Sequence, residues 1–207
     1  MLRKLHRLNA ILLGLFLAAH ILNHLVLVLG IEAHVAVMQA LRSAYRLPGI
    51  EHLLIGLFAA QIILGIALIW RRGRPQGGWA WAQVISGGYI AFFLLQHVPA
   101  VIATRISYPK MDTDAFYAAS VVAVDPIRWY FAPYYIFAII AVFTHLAAAL
   151  RFRIWPEPAS TATKLLPVAG IVAGALIVAG LTGLIHPFDL TPENRTYLND
   201  FWGLDLP

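Results

Sequence analysis

The chain is 207 residues long and 60% hydrophobic but only 12% charged, where a soluble domain carries about a quarter charged residues. That balance points to a polytopic membrane protein, and the net charge of +5 is spread over short loops, so no nucleic-acid partner is expected. With no cysteine, the chain itself forms no disulfide, ligates no iron–sulfur cluster and does no thiol chemistry.

Five apolar runs reach the ~20 residues that a membrane-spanning helix needs. They are Leu8–Gly30, Ile50–Trp70, Trp79–Thr104, Trp129–Leu150 and Lys164–Ile185. The first lacks a small-residue cleavage site and is expected to be a retained helix, not a signal peptide. Between the first two lies Ile31–Leu47, too polar to span. Its Ile31, Val35, Met38, Leu41 and Tyr45 share one helical face, which predicts an amphipathic helix at the outer interface. Ser107–Ile127, between the third and fourth runs, is read the same way. Gly170 and Gly174 on the fifth run predict close helix packing. The tail 186–207 mixes acids with aromatic residues and is expected at the outer interface. The whole chain, 1–207, is thus read as a single all-α integral membrane domain, a five-helix bundle.

Basic residues set the orientation. Arg3, Lys4 and Arg7 precede the first run, Arg71, Arg72 and Arg74 follow the second, Arg151 and Arg153 follow the fourth, and Lys164 opens the fifth. All fall on one side, so the N-terminus is expected in the cytoplasm and the C-terminus outside the inner or plasma membrane. Trp70, Trp79, Trp81 and Trp129 stand at run ends, as interfacial anchors do.

The runs also hold His20, His24, His97 and His145. Lipid penalises an ionisable ring, so each is a functional candidate, with a plain interhelical hydrogen bond as the alternative. Neutral imidazole suits metal ligation, and haem held by two histidines on facing helices is the simplest such site. Depth tests the pairing. At ~1.5 Å per residue, His20 and His24 lie ~20 and ~25 Å past Arg7, and His97 lies ~24 Å past Trp81. One haem therefore fits between the first and third runs. His145, six residues before Arg151, lies only ~9 Å from that same inner edge and cannot share it. The nearest polar residue on the second run is Gln61, at ~16 Å. A chlorophyll, a dinuclear metal site and a proton relay remain open on these residues alone.

The order and spacing of RKLHRLNAILLGLFLAAH, GIEAH, LPGIEHLLIG, WAWAQVISGG, FFLLQHVPAVIATR and FTHLAAALRF resemble the five-helix cytochrome b anchor subunits of succinate:quinone oxidoreductases, that is, succinate dehydrogenase and fumarate reductase. The resemblance covers most of the chain. It implies two stacked haems b, the outer held from the first and third spans and the inner from the second and fourth. Carried over, the outer ligands are His20 and His97. The local match GLFLAAH favours His20 whereas depth favours His24. The inner pair becomes Gln61 and His145. Glutamine stands there in place of histidine, so one haem is expected and the second site is expected to be empty or weakened.

The resemblance further implies electron exchange with membrane quinone. It also implies flavoprotein and iron–sulfur partner subunits on the cytoplasmic side, with this chain as the non-catalytic anchor. Glu32 and Glu51 are candidates for proton relay near an outer quinone site, beside the alternative of ordinary interfacial carboxylates. Arg105 and Arg128 are candidates for pairing haem propionates. Two other functions stand beside this one: a structural membrane subunit that kept the fold without redox work, and a standalone single-haem cytochrome.

Overall fold

A computed structural model describes residues 1–153 and 161–207, apart from the side chain of residue 162. Helices account for 80% of the chain, and the described residues form no strand. In order they are α1 (Leu2–Leu25) with a 3-10 extension (Val26–Leu29), α2 (Ile31–Tyr45), α3 (Ile50–Arg72), α4 (Gly78–Ser107), α5 (Ala115–Ala123), α6 (Arg128–Arg151), α7 (Thr161–Leu181) and α8 (Pro192–Trp202). α1 with its extension, α3, α4, α6 and α7 are long and apolar enough to cross a membrane. They correspond to the five predicted runs. α1 begins six residues earlier than expected, and α7 ends at Leu181 rather than Ile185.

Side-chain pairs fix the packing. His6 approaches Gly65, and Asn9 bonds Gln61, so α1 and α3 run antiparallel. Arg72 bonds Gln83 at one end of the α3–α4 hairpin and Glu51 bonds Arg105 at the other. On α4 and α6, Gln83 meets His145 and Gln96 meets Tyr130, again antiparallel. α1 and α4 therefore point the same way. α6 and α7 form the tightest pair. A Cβ on Gly170 would stand 2.8 Å from the Phe143 Cβ, and one on Gly174 would stand 3.2 Å from the Ile136 carbonyl. The predicted role of that glycine pair holds, because only hydrogen at these positions lets the two backbones come so close.

The basic residues Arg3, Lys4, Arg7, Arg71 and Arg74 gather at one end of the bundle. The other end is capped by α2, α5 and α8. Gly30, at φ 113°, occupies a region that side chains disfavour and lets the chain reverse there. α2 then folds back along α1: His34 meets Asn23 and His24, and Tyr45 reaches Phe16, nine residues before the end of α1. The predicted face is the one that packs inward, with Met38 buried, and it packs on α1. A buried arginine holds it: Arg42 donates to both Asp112 carboxylate oxygens, at 2.8 and 2.6 Å, and to the Thr113 carbonyl at 2.6 Å.

Within 108–127 only Ala115–Ala123 is helical, and it is buried instead of amphipathic. The Asp114 carboxylate caps it by accepting from the Phe116 N–H at 2.8 Å. Burial pushes that carboxyl above its usual range, against the bond from Phe116. α8 closes the cap, with Leu198 and Tyr197 in one core with Ile21, Leu27, Val122 and Leu181. By contrast α3 has no fully buried residue, and Leu53, Ile63 and Ile66 lie exposed on it. On a soluble protein such a face invites aggregation; on a membrane-length helix it is the face that lipid covers.

Candidate functional site

Four imidazoles converge where α1, α2 and α4 meet. His20 on α1 and His97 on α4 come close, their ring centroids 6.2 Å apart and their planes at 66°. Each is held by an aromatic ring one turn earlier on its own helix. Phe16 stacks on His20 at 5.6 Å and 18°, and Phe93 stacks on His97 at 4.9 Å and 19°. Neither ring nitrogen of His20 or His97 makes a hydrogen bond among the described residues.

His24 is differently engaged. Its ring sits 4.7 Å from that of His20, but its Nδ1 lies 3.3 Å from the Nε2 of His34. His34, 1% exposed, is in turn 3.1 Å from the Asn23 amide nitrogen. Burial, aided by the charge of Arg42, pulls the His34 pKa down to about 4, so the ring is neutral at physiological pH. The Nδ1 of His34 and the Oδ1 of Asn23 are buried without partners. The ring contact with His97 on α4 is made by His20. No trio of His, Asp or Glu among the described residues is arranged to hold a bare metal ion.

The two residues expected at a second site each hold other partners. Gln61 accepts from the Asn9 amide at 2.8 Å, which fixes its carboxamide so that Nε2 donates to His6 Nε2 at 3.2 Å. Asn9 also donates to the Leu57 carbonyl at 2.8 Å. His145 instead donates from Nδ1 to the Gln83 carbonyl, at 3.1 Å, with Ser86 Oγ at 3.2 Å. Its proton is thereby placed on Nδ1 and its lone pair on Nε2. The ring lies flush on Gly87, whose absent Cβ would stand 3.0 Å from His145 Cε1. A side chain at that position would press on the histidine ring.

The remaining candidates disperse. Arg105 pairs with Glu51, binding both carboxylate oxygens, and the partnership holds the outset of α3 to the end of α4. Arg128 pairs with Asp125 at 2.9 Å and donates to the Ala123 carbonyl, also at 2.9 Å. The two arginines do not converge. Glu32 is exposed in the first turn of α2.

Sequence reasoning missed His34, Asn23, His6 and Asn9. The signal was present in part: Asn9 follows His6 by three residues, one helical face, and AHILNH places Asn23 beside His24. What partners they meet depends on α2 and α3, which no local pattern reveals. No protein-family model, curated protein or solved structure matches this chain.

Proposed function

We propose that the chain is a membrane cytochrome b-like subunit that holds one haem b between His20 and His97. It passes electrons between a dehydrogenase partner and the quinone pool. The observation that carries the reading is the opposed imidazole pair. Two metal–imidazole bonds of about 2 Å each, added to the distance from each ring nitrogen to its centroid, come to about 6 Å. The spacing found is 6.2 Å. Both rings are free of hydrogen bonds among the described residues, and each is steadied by a stacked phenylalanine. Haem needs only two protein ligands, and it supplies a one-electron carrier. The chain's part is to offer two neutral imidazoles from parallel helices, keep them rigid and exclude water.

The cytoplasmic N-terminus belongs to the same reading and is supported by the basic end of the bundle. So do flavoprotein and iron–sulfur partners docking at that end, which rest on the resemblance. A standalone single-haem cytochrome is the second reading. It is favoured by one observation: Gln61, the residue offered for a second haem, is bonded to Asn9 and His6.

The test is a reduced-minus-oxidised spectrum of purified full-length protein. A b-type α-band at about one haem per chain is expected, lost in His97→Ala while far-UV helicity is retained. An unchanged low-spin spectrum in that variant overturns the ligand assignment. Absence of haem from protein made in haem-replete cells overturns the redox reading and leaves a structural subunit.

A further inference from the structure

α2 leaves α1 at Gly30, packs beside His20 and is tied to the connection between α4 and α5. Its buried face is three residues at helical spacing, His34, Met38 and Arg42, and only Met38 is apolar. A helix on a bundle is ordinarily held down by an apolar stripe; this one is held mostly by polar contacts. Those contacts are incomplete. His34 Nδ1 and Arg42 Nε on α2, and Asn23 Oδ1 on α1 against it, are buried without a partner among the described residues. Each such atom weakens the closed arrangement, and water would satisfy all three on opening. A void of about 30 Å³ also remains between the two helices, lined by His20, Asn23, Met38, Leu41 and Tyr45. That space is water-sized, so the seat of α2 on His20 is loosely filled.

Both ends of α2 join the bundle through glycine. Gly30 has φ 113° and Gly49 has φ 86°, and a Cβ at either would meet nothing within 4 Å. Backbone angle, not crowding, calls for glycine there, and no neighbour wedges either joint. The remaining fastening is a clasp. Arg42 donates to both Asp112 carboxylate oxygens and to the Thr113 carbonyl, and Arg46 adds a bond to the Thr113 hydroxyl at 3.3 Å. The Arg42 side chain is 10% exposed but that of Asp112 is 51% exposed, so water reaches the clasp before any helix moves. Glycine joints, a polar seat with unpaired atoms and one ion-pair clasp belong to an element that opens locally before the bundle unfolds.

We infer that α2 is a latched lid over His20: release of Arg42 from Asp112 and Thr113 lets it lift from α1 and open a way from the capped end of the bundle to the His20–His97 pair. Closed, α2 walls His20 with Met38, Leu41 and Tyr45, and a rigid planar group cannot slide past them. Open, it admits that group to the pair; shut again, it keeps water out. This use rests on the haem reading, whereas the opening itself does not.

The chain has no cysteine, so one introduced thiol reports on one place. Full-length protein in nanodiscs is treated with a water-soluble maleimide. Met38→Cys lies on the buried face of α2, and Ala119→Cys, in the core of α5, reports wider unfolding. The α2 thiol is expected to react at least about tenfold faster than the α5 thiol. Arg42→Gln should raise the α2 rate about tenfold further, Asp112→Asn should act in the same direction, and neither should change the α5 rate. Should Met38→Cys fail to fold, Leu41→Cys takes its place. Equal labelling of the two thiols, or an equal rise in both with Arg42→Gln, overturns the lid. Uptake of added haemin by haem-free protein is measured alongside. Arg42→Gln should speed it about tenfold with the final haem-to-protein ratio unchanged. Selective opening with unchanged uptake overturns the entry route. Selective opening in a protein that takes up no haemin keeps the lid and removes the haem reading. Uptake without selective labelling of α2 does the reverse.

Discussion

Asn9 on α1 donates to the side-chain carbonyl of Gln61 on α3 at 2.8 Å, and the same glutamine donates onward to His6. These bonds, with that from Asn9 to the Leu57 carbonyl, lie between two membrane-length helices, where an unpaired amide is costly. Gln61→Leu is therefore expected to destabilise the α1–α3 pair by ~1–3 kcal/mol. The double variant Asn9→Leu/Gln61→Leu should recover part of the loss, because it removes both halves of the bond. Thermal unfolding in detergent checks this; additive losses in the two single variants would show that the bond contributes nothing.

The ligand question between His20 and His24 has a direct answer in paired variants. His20→Ala is expected to lose haem as completely as His97→Ala does. His24→Ala should keep it, since the Nδ1 of His24 is engaged with His34. Haem content per chain by pyridine haemochrome is the measurement, and retention in His20→Ala with loss in His24→Ala would reverse the assignment.

A second haem is not expected. His145 is oriented by Gln83 and Ser86 in the tautomer that leaves Nε2 free, which is how a metal ligand is usually held. Its opposite number is missing, because Gln61 offers only a weak oxygen donor and that oxygen is occupied by Asn9. His145→Leu should leave the ratio at one haem per chain. A ratio of two in the unmodified protein would refute this. Gln61→His is the converse test, in which a second haem appearing would show that the rest of the pocket is intact.

The α6–α7 contact predicts a sharp contrast between two glycines. Gly170→Ala drives a methyl to within 2.8 Å of the Phe143 Cβ and 3.2 Å of the Ile140 Cα. The helices must separate, at a cost of ~1–3 kcal/mol. Gly88→Ala enters open space and should be neutral or stabilising by up to ~1 kcal/mol, from the helix preference for alanine. Equal effects of the two on unfolding temperature would mean that the close approach does not govern stability.

Orientation is tested by a reporter fused after Pro207. With the basic loops retained in the cytoplasm, the C-terminus should emerge on the opposite side. Activity of a cytoplasm-only reporter at that position would contradict the assignment.

Length, hydropathy and glycine spacing determined much of the architecture by themselves. Five helices stand where the apolar runs lie, since a run of that length and composition has few other ways to satisfy its backbone. Gly170 and Gly174 were legible because small residues at that interval leave a groove on one face. So was the inward face of α2, whose apolar positions repeat at the helical period. The site was legible only in part. His20 and His97 could be matched to a similar depth, but counting residues at a fixed rise slightly favoured His24, one turn on. Rise along an axis contains neither the tilt of one helix against another nor the rotation that aims a side chain. Those follow from packing: α4 settles against α6, and α2 folds back at Gly30 to bring His34 onto His24. Tertiary structure alone decided that Gln61 serves Asn9 and His6, that Arg105 serves Glu51, and that Arg42 serves Asp112. Each joins residues far apart in sequence, and the energy of such a contact exists only once both helices are in place.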